Sequence, residues 1–110
     1  MNRSGGMKSI PAGYVVYRRT PEYTRATIPK PLLSRHETKR GAWALIRILE
    51  GELRYCIEDP PFETILTPER PGVVEPEVPH RIEPIGDVRF FLEFHYDPQR
   101  HPTGDPGAGA

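Results

Sequence analysis

Apolar and polar positions alternate along several short runs of this chain, and almost nowhere do they recur with the roughly 3.6-residue spacing of a helix. The segments Tyr14 to Tyr17, Trp43 to Leu49, Leu53 to Ile57, Thr64 to Leu66 and Val88 to Tyr96 are rich in β-branched and aromatic side chains and bounded by Gly, Pro and Asp. Each is expected to be a strand. Around Gly41 to Tyr55 a helical spacing free of proline could be drawn, but Glu50-Gly51 interrupts it. An all-β domain with little helix follows.

Within AWALIRILEGELRYCI, Glu50-Gly51 reads as a two-residue hairpin turn. Such a turn pairs Leu49 with Glu52, Ile48 with Leu53, Arg47 with Arg54 and Ile46 with Tyr55. One face then carries Ala44, Ile46, Ile48, Leu53, Tyr55 and Ile57, and is the expected core. The other carries Trp43, Leu45, Arg47, Glu52, Arg54 and Cys56. Trp43 and Leu45 would leave an apolar surface in water there unless a second copy, in a homodimer, or a terminal segment folding back covered it. In VRFFLEFHY the set Phe90, Leu92, Phe94 and Tyr96 is the core stripe. Glu93 and His95 then face solvent or, in a closed barrel, an interior cavity, and alternation does not choose between these.

Composition narrows the class. The chain has 110 residues, enough for one small core, and its 15 basic and 15 acidic side chains cancel. Nucleic acid and anionic membrane are therefore not expected partners. Cys56 has no second cysteine to pair with, there is no apolar run of about 18 residues, and MNRSGGMK lacks the apolar stretch of a signal peptide, so the expected location is the cytoplasm. The 14 prolines lie between the apolar runs and punctuate strands. Residues 1–9 are expected to be a flexible N-terminus and 97–110 a disordered C-terminal tail with nothing apolar to anchor it, leaving 10–96 as the domain. No serine sits in a Gly-x-Ser-x-Gly context, and neither glycine cluster joins a strand to a helix as a phosphate loop does. His95 and His101 lie at or beyond the end of the last strand, where a solvated or structural role is expected.

Two short motifs have a family likeness. ILEGELRY resembles the end of the first cupin motif and GVVEPEVPH the second. The run YRRTPEYT, LLSRHETKRGAW, ILEGELRY, VVEPEVPHRIEP and VRFFLEF is similar to the TehB/YeaR-like family of cupins, found alone and as the N-terminal part of tellurite-resistance methyltransferases. The likeness spans about Ile10 to Tyr96. It implies a cupin-like double-stranded β-helix barrel, or jelly roll, that is dimeric and holds a metal. It implies no established reaction, and the present sequence shows no methyltransferase segment.

Metal-binding cupins typically take two histidines and a glutamate from the first motif and one histidine from the second. Here the first block offers only His36, and Ala44 stands where the glutamate would fall. The resemblance carries His36 and His80 over as ligands, and Glu77 and Glu93 match positions that are acidic in some members. Glu83, three residues after His80, would orient that ring. Two imidazoles with carboxylates suit a divalent metal ion such as zinc, iron, nickel or manganese, with a position open for a ligand. Taken without the family, His80 is equally a strand-opening residue whose ring bonds a backbone carbonyl, and His36 a solvated loop histidine. Pro76 and Pro79 stiffen the approach to His80 in either case. The resemblance therefore implies a small metal-binding cupin of undefined activity with a role in the response to tellurite, another oxyanion or nitrosative stress. The alternative is a non-catalytic small-ligand-binding or structural barrel with no metal, and neither reading commits the chain to catalysis.

Overall fold

The computed structural model describes residues 7–101. In chain order it contains β1 (Val15–Arg19), β2 (Tyr23–Thr24), a 3-10 turn (Lys30–Leu33), β3 (Trp43–Ile57), β4 (Phe62–Leu66), β5 (Gly72–Val74) and β6 (His80–Tyr96). The fold is all-β and antiparallel, as the alternation predicts. The sheet order is β1-β6-β3-β4, with β2 also on β6 and β5 also on β3.

Two long strands organise everything else. β3 and β6 pair antiparallel along their whole length, from Trp43 opposite His95 to Ile57 opposite His80. The expected hairpin at Glu50-Gly51 is therefore corrected. Glu50 lies opposite Arg89 and Gly51 opposite Val88, while Leu53 lies opposite Pro84, so Leu49 and Glu52 do not face each other. Gly51 instead marks a bulge where β3 bends, at φ +83, with Gly86 in the same left-handed region at φ +64 on β6. The first half of β3 lies between β6 and β5, and its second half between β6 and β4. Folding both halves over gives the small barrel.

The predicted faces survive that correction, because a two-residue turn and a bulge shift alternation in the same sense. Ala44, Ile46 and Ile48 before the bend and Leu53 and Tyr55 after it are all buried, in one cluster with Leu66, Val74, Ile82, Val88, Phe90 and Leu92. Phe94 and Ile57 pack against this cluster half-buried. The outer face of β3 and β6 carries Trp43, Leu45 and Phe91, all partly exposed, with the edge of Trp43 meeting Tyr14 at 6.3 Å. A segment ahead of β1 thus covers part of Trp43.

Of the expected N-terminal arm, 1–6 lie outside the described residues, whereas Met7 packs against the core and its Sδ accepts the Val73 N–H at 3.3 Å. At the other end, Asp97 accepts from the backbone N–H of Arg100 and His101, and 102–110 lie outside the described residues. No helix among the described residues is long and apolar enough to cross a membrane.

Candidate functional site

His36 and His80 are 44 positions apart in sequence, and the backbone joins them. The His36 N–H donates to the His80 carbonyl and the His80 N–H to the His36 carbonyl, each at 2.8 Å. This bridge sets the two rings edge to face with centroids 5.5 Å apart. Tyr55, on the inner face of β3, lies edge-on to His80 at 5.9 Å, and its hydroxyl donates to the Val73 carbonyl at 2.8 Å. Burial pushes that phenol far above its usual range, so it is a fixed neutral donor.

His80 opens β6 and is 4% exposed. Its Nδ1 lies 2.9 Å from the Val78 carbonyl oxygen, which can only accept, so Nδ1 carries the proton and Nε2 the lone pair. Burial is the main force lowering its pKa and nearby His36 adds to it, outweighing the Val78 carbonyl. The ring is neutral near pH 7.

A stability profile follows from this. The folded pKa of His80 lies below its unfolded value of about 6.5. The unfolded chain therefore takes up more protons as pH falls, and the contribution present above about 6.5 is lost below it. His95 is shifted the same way by burial. The urea midpoint is expected to fall between pH 7.5 and pH 5, with a shallower slope in His80→Asn. Equal slopes in the two proteins would show that His80 is not held neutral by the fold.

Beside His36 lies the mouth of the barrel, a cavity of about 330 Å³ lined by Tyr17, Arg18 and Phe94 on one side and by the loop from His36 to Lys39, with Ala42, on the other, whereas His80 lines a separate cavity of about 500 Å³ with Arg35, Cys56 and Phe62. The loop is fixed by Thr38, whose hydroxyl donates to the Ala42 carbonyl at 2.9 Å and whose carbonyl accepts the Glu77 N–H at 3.1 Å. Arg18 lies over the Phe94 ring with its guanidinium carbon 4.5 Å from the centroid. Tyr17 meets Tyr96 edge to face at 5.3 Å. Arg18 and Tyr17 carry no sequence signal. Phe94 could be found from the core stripe and Tyr55 from the inner face of β3, but neither pattern marks a site.

The four residues expected to hold a metal do not converge. His36 and His80 come together. Glu77, at φ 63, turns its half-exposed side chain towards Arg40 at 3.7 Å. Glu93 belongs to the opposite face of β6 from His80, where Arg19 donates to it at 2.7 Å and Arg47 at 3.1 Å. Burial alone would raise the Glu93 carboxyl, but the Arg19 and Arg47 hydrogen bonds prevail and hold it below its usual range. Neither expected placement of Glu93 describes it, since it is on the outer face and yet 5% exposed. Glu83 pairs with Arg54 at 2.9 Å, and the Val78 carbonyl takes the orienting role expected of it. Among the described residues no three His, Cys, Asp or Glu side chains are grouped as a metal site. Cys56 is half-buried, and burial raises its thiol pKa, which disfavours a nucleophilic thiolate.

Comparison with known proteins places these features in a family. The sequence model of the TehB-like domain matches residues 18–92. The chain is 32% identical over 78 residues to the probable S-adenosyl-L-methionine-dependent methyltransferase TehB of Haemophilus influenzae strain Rd, covering 66% of this chain and 27% of that protein. It thus spans about a quarter of the length of the curated relatives it matches. The crystal structure of TehB from Haemophilus influenzae superposes with a TM-score of 0.72 at 27% identity, covering 88% of this chain and 38% of that one. A crystal structure of a protein from E. coli strain K12 gives 0.77 at 25% identity, covering 84% of this chain and 99% of that one. The expectation of a divalent metal cofactor is corrected on two counts. The relatives' name gives S-adenosyl-L-methionine as their cofactor, and the described donors do not assemble into a metal site.

Proposed function

Because the chain belongs to the TehB-like domain family, we propose that it is a non-catalytic β-barrel that receives a small ligand in its mouth, beside the His36 ring. The observation that carries this reading is the cavity itself. At about 330 Å³, with aromatic walls and a few polar groups, it falls at the small end of the roughly 300–1,000 Å³ usual for ligand sites. The side chains around it are fixed before any ligand arrives. Thr38 donates its hydroxyl to the Ala42 carbonyl, Arg18 lies over the Phe94 ring and Tyr17 meets Tyr96 edge to face. None is aligned with a second side chain as a nucleophile with its base would be.

In this reading the barrel serves in the cytoplasm in the response to tellurite or related oxyanions, and methyl transfer belongs to the part of the relatives' length without a counterpart here. Thermal melting in the presence of small metabolites and oxyanions tests it, since a ligand that binds only the folded state raises Tm. At least one compound is expected to raise Tm in proportion to the logarithm of its concentration. A flat response across the panel would leave only a structural barrel.

The proposal also pairs two barrels through the outer face. Trp43, Leu45 and Phe91 are partly exposed there, and Nε2 of neighbouring His95 is shut from solvent without a hydrogen-bond partner among the described residues. Light scattering is expected to give twice the 12.5 kDa chain mass, and Leu45→Arg to halve it. A wild-type monomer would remove the dimer.

A further inference from the structure

Most of the described lysines and arginines have a carboxylate partner. Arg19 and Arg47 hold Glu93, Arg54 holds Glu63 and Glu83, and Arg89 holds Glu50 and Glu22. Five described cations stand outside this pattern, Arg25, Lys30 and Arg70 away from the barrel mouth and Arg18 and Lys39 on it. Neither Arg18 nor Lys39 has a carboxylate within ion-pair distance among the described residues, although both line the cavity. Glu37 is the lone carboxylate among the lining residues, and it is exposed.

Arg18 is also held in a particular way. β1 bulges between Val16 and Arg18, so Arg18 falls opposite Phe94 and its guanidinium lies over that ring. A guanidinium laid on an aromatic face keeps the N–H donors along its edge free, and those donors match two oxygens of one carboxylate or oxyanion. Lys39 adds a second positive charge from the facing loop. Phe94 and Tyr17 supply apolar wall beneath and beside the charge.

We infer that the ligand of the mouth is a small anion whose oxygens are read by Arg18, with Lys39 as the supporting charge. The inference rests on the mouth being a ligand site. It adds the charge of the ligand and the residue that recognises it. The shared chemistry is a planar or pyramidal group bearing two or more negatively polarised oxygens, which either an organic carboxylate or an inorganic oxyanion provides.

Titration calorimetry on the full chain separates the possibilities, using benzoate, its neutral counterpart benzamide, and selenite, against wild type and Arg18→Gln. Melting curves confirm that the variant is folded. Binding of benzoate or selenite, weakened at least about tenfold in Arg18→Gln and weakened by added salt, is the expected result. Benzoate alone identifies an organic acid, selenite alone an inorganic oxyanion. Benzamide binding as tightly as benzoate, with no effect of Arg18→Gln, would overturn the anion inference while leaving the ligand site intact. No heat from any of the three would overturn both.

Discussion

Gly51→Val is expected to leave the chain largely unfolded or to cost more than about 2 kcal/mol, as read from the urea midpoint at pH 7. Two effects combine at this position. The backbone sits at φ +83, where a β-branched residue is strained, and a Cβ placed there would collide with the Asp87 carbonyl oxygen and crowd Val88. Relief would require β3 and β6 to separate where both bend, and those two strands are the frame on which every other strand pairs. Gly86 provides the control. It too has positive φ, at +64, but a Cβ added there would meet nothing within 4 Å, so Gly86→Ala is expected to cost only about 1 kcal/mol. Similar midpoints for Gly51→Val and wild type would show that the continuous bent strand is wrong.

Phe90→Ala is the other large effect, expected to cost about 3–5 kcal/mol. Phe90 is fully buried on the inner face of β6, directly opposite Ile48, with Tyr23 edge-on at 5.7 Å. Truncation removes a large apolar side chain and leaves a cavity that rigid strands cannot close. A small domain stable by roughly 5–15 kcal/mol has little to spare for such a loss. Phe91→Ala, one position along and on the outer face, is expected to cost clearly less in the monomer, because Phe91 is only partly buried. Equal losses at both positions, measured by urea unfolding at low protein concentration, would contradict the assignment of faces.

Much of this fold is legible in the sequence because alternation reports which face a residue is on without needing to know its partner. An incorrect hairpin still assigns Ala44, Ile46, Ile48, Leu53 and Tyr55 to the core, and they are in the core because the Gly51 bulge shifts alternation just as the turn would. Topology is not legible for the same reason. Glu50-Gly51 suits either device locally, and only the long-range match of β3 to β6 decides between them. The first half of β6 escapes the sequence pattern because Pro84 and Gly86-Asp87 look like strand breakers, whereas the bulge of the long pair absorbs them.

At the site, the pairing of His36 with His80 is accessible only through the family likeness, since a backbone bridge across 44 positions leaves no local pattern. The bland reading of His80, a strand-opening ring bonded to a carbonyl, describes its geometry. Glu93 is misjudged from sequence because alternation places a side chain but not its neighbours, and Arg19 and Arg47 reach over it from β1 and β3. Arg18 gives no sign of itself because an arginine in Tyr-Arg-Arg looks like any solvated strand residue until Phe94 is seen beneath it.

The most direct test of the barrel mouth is an amide shift map of the isotope-labelled chain during titration with the compound that raises Tm most. The largest changes are predicted at Tyr17, Arg18, His36, Thr38, Lys39, Ala42 and Phe94, saturating with one ligand per chain. Changes centred instead on Trp43, Leu45 and Phe91, or scattered without saturation, would contradict the account.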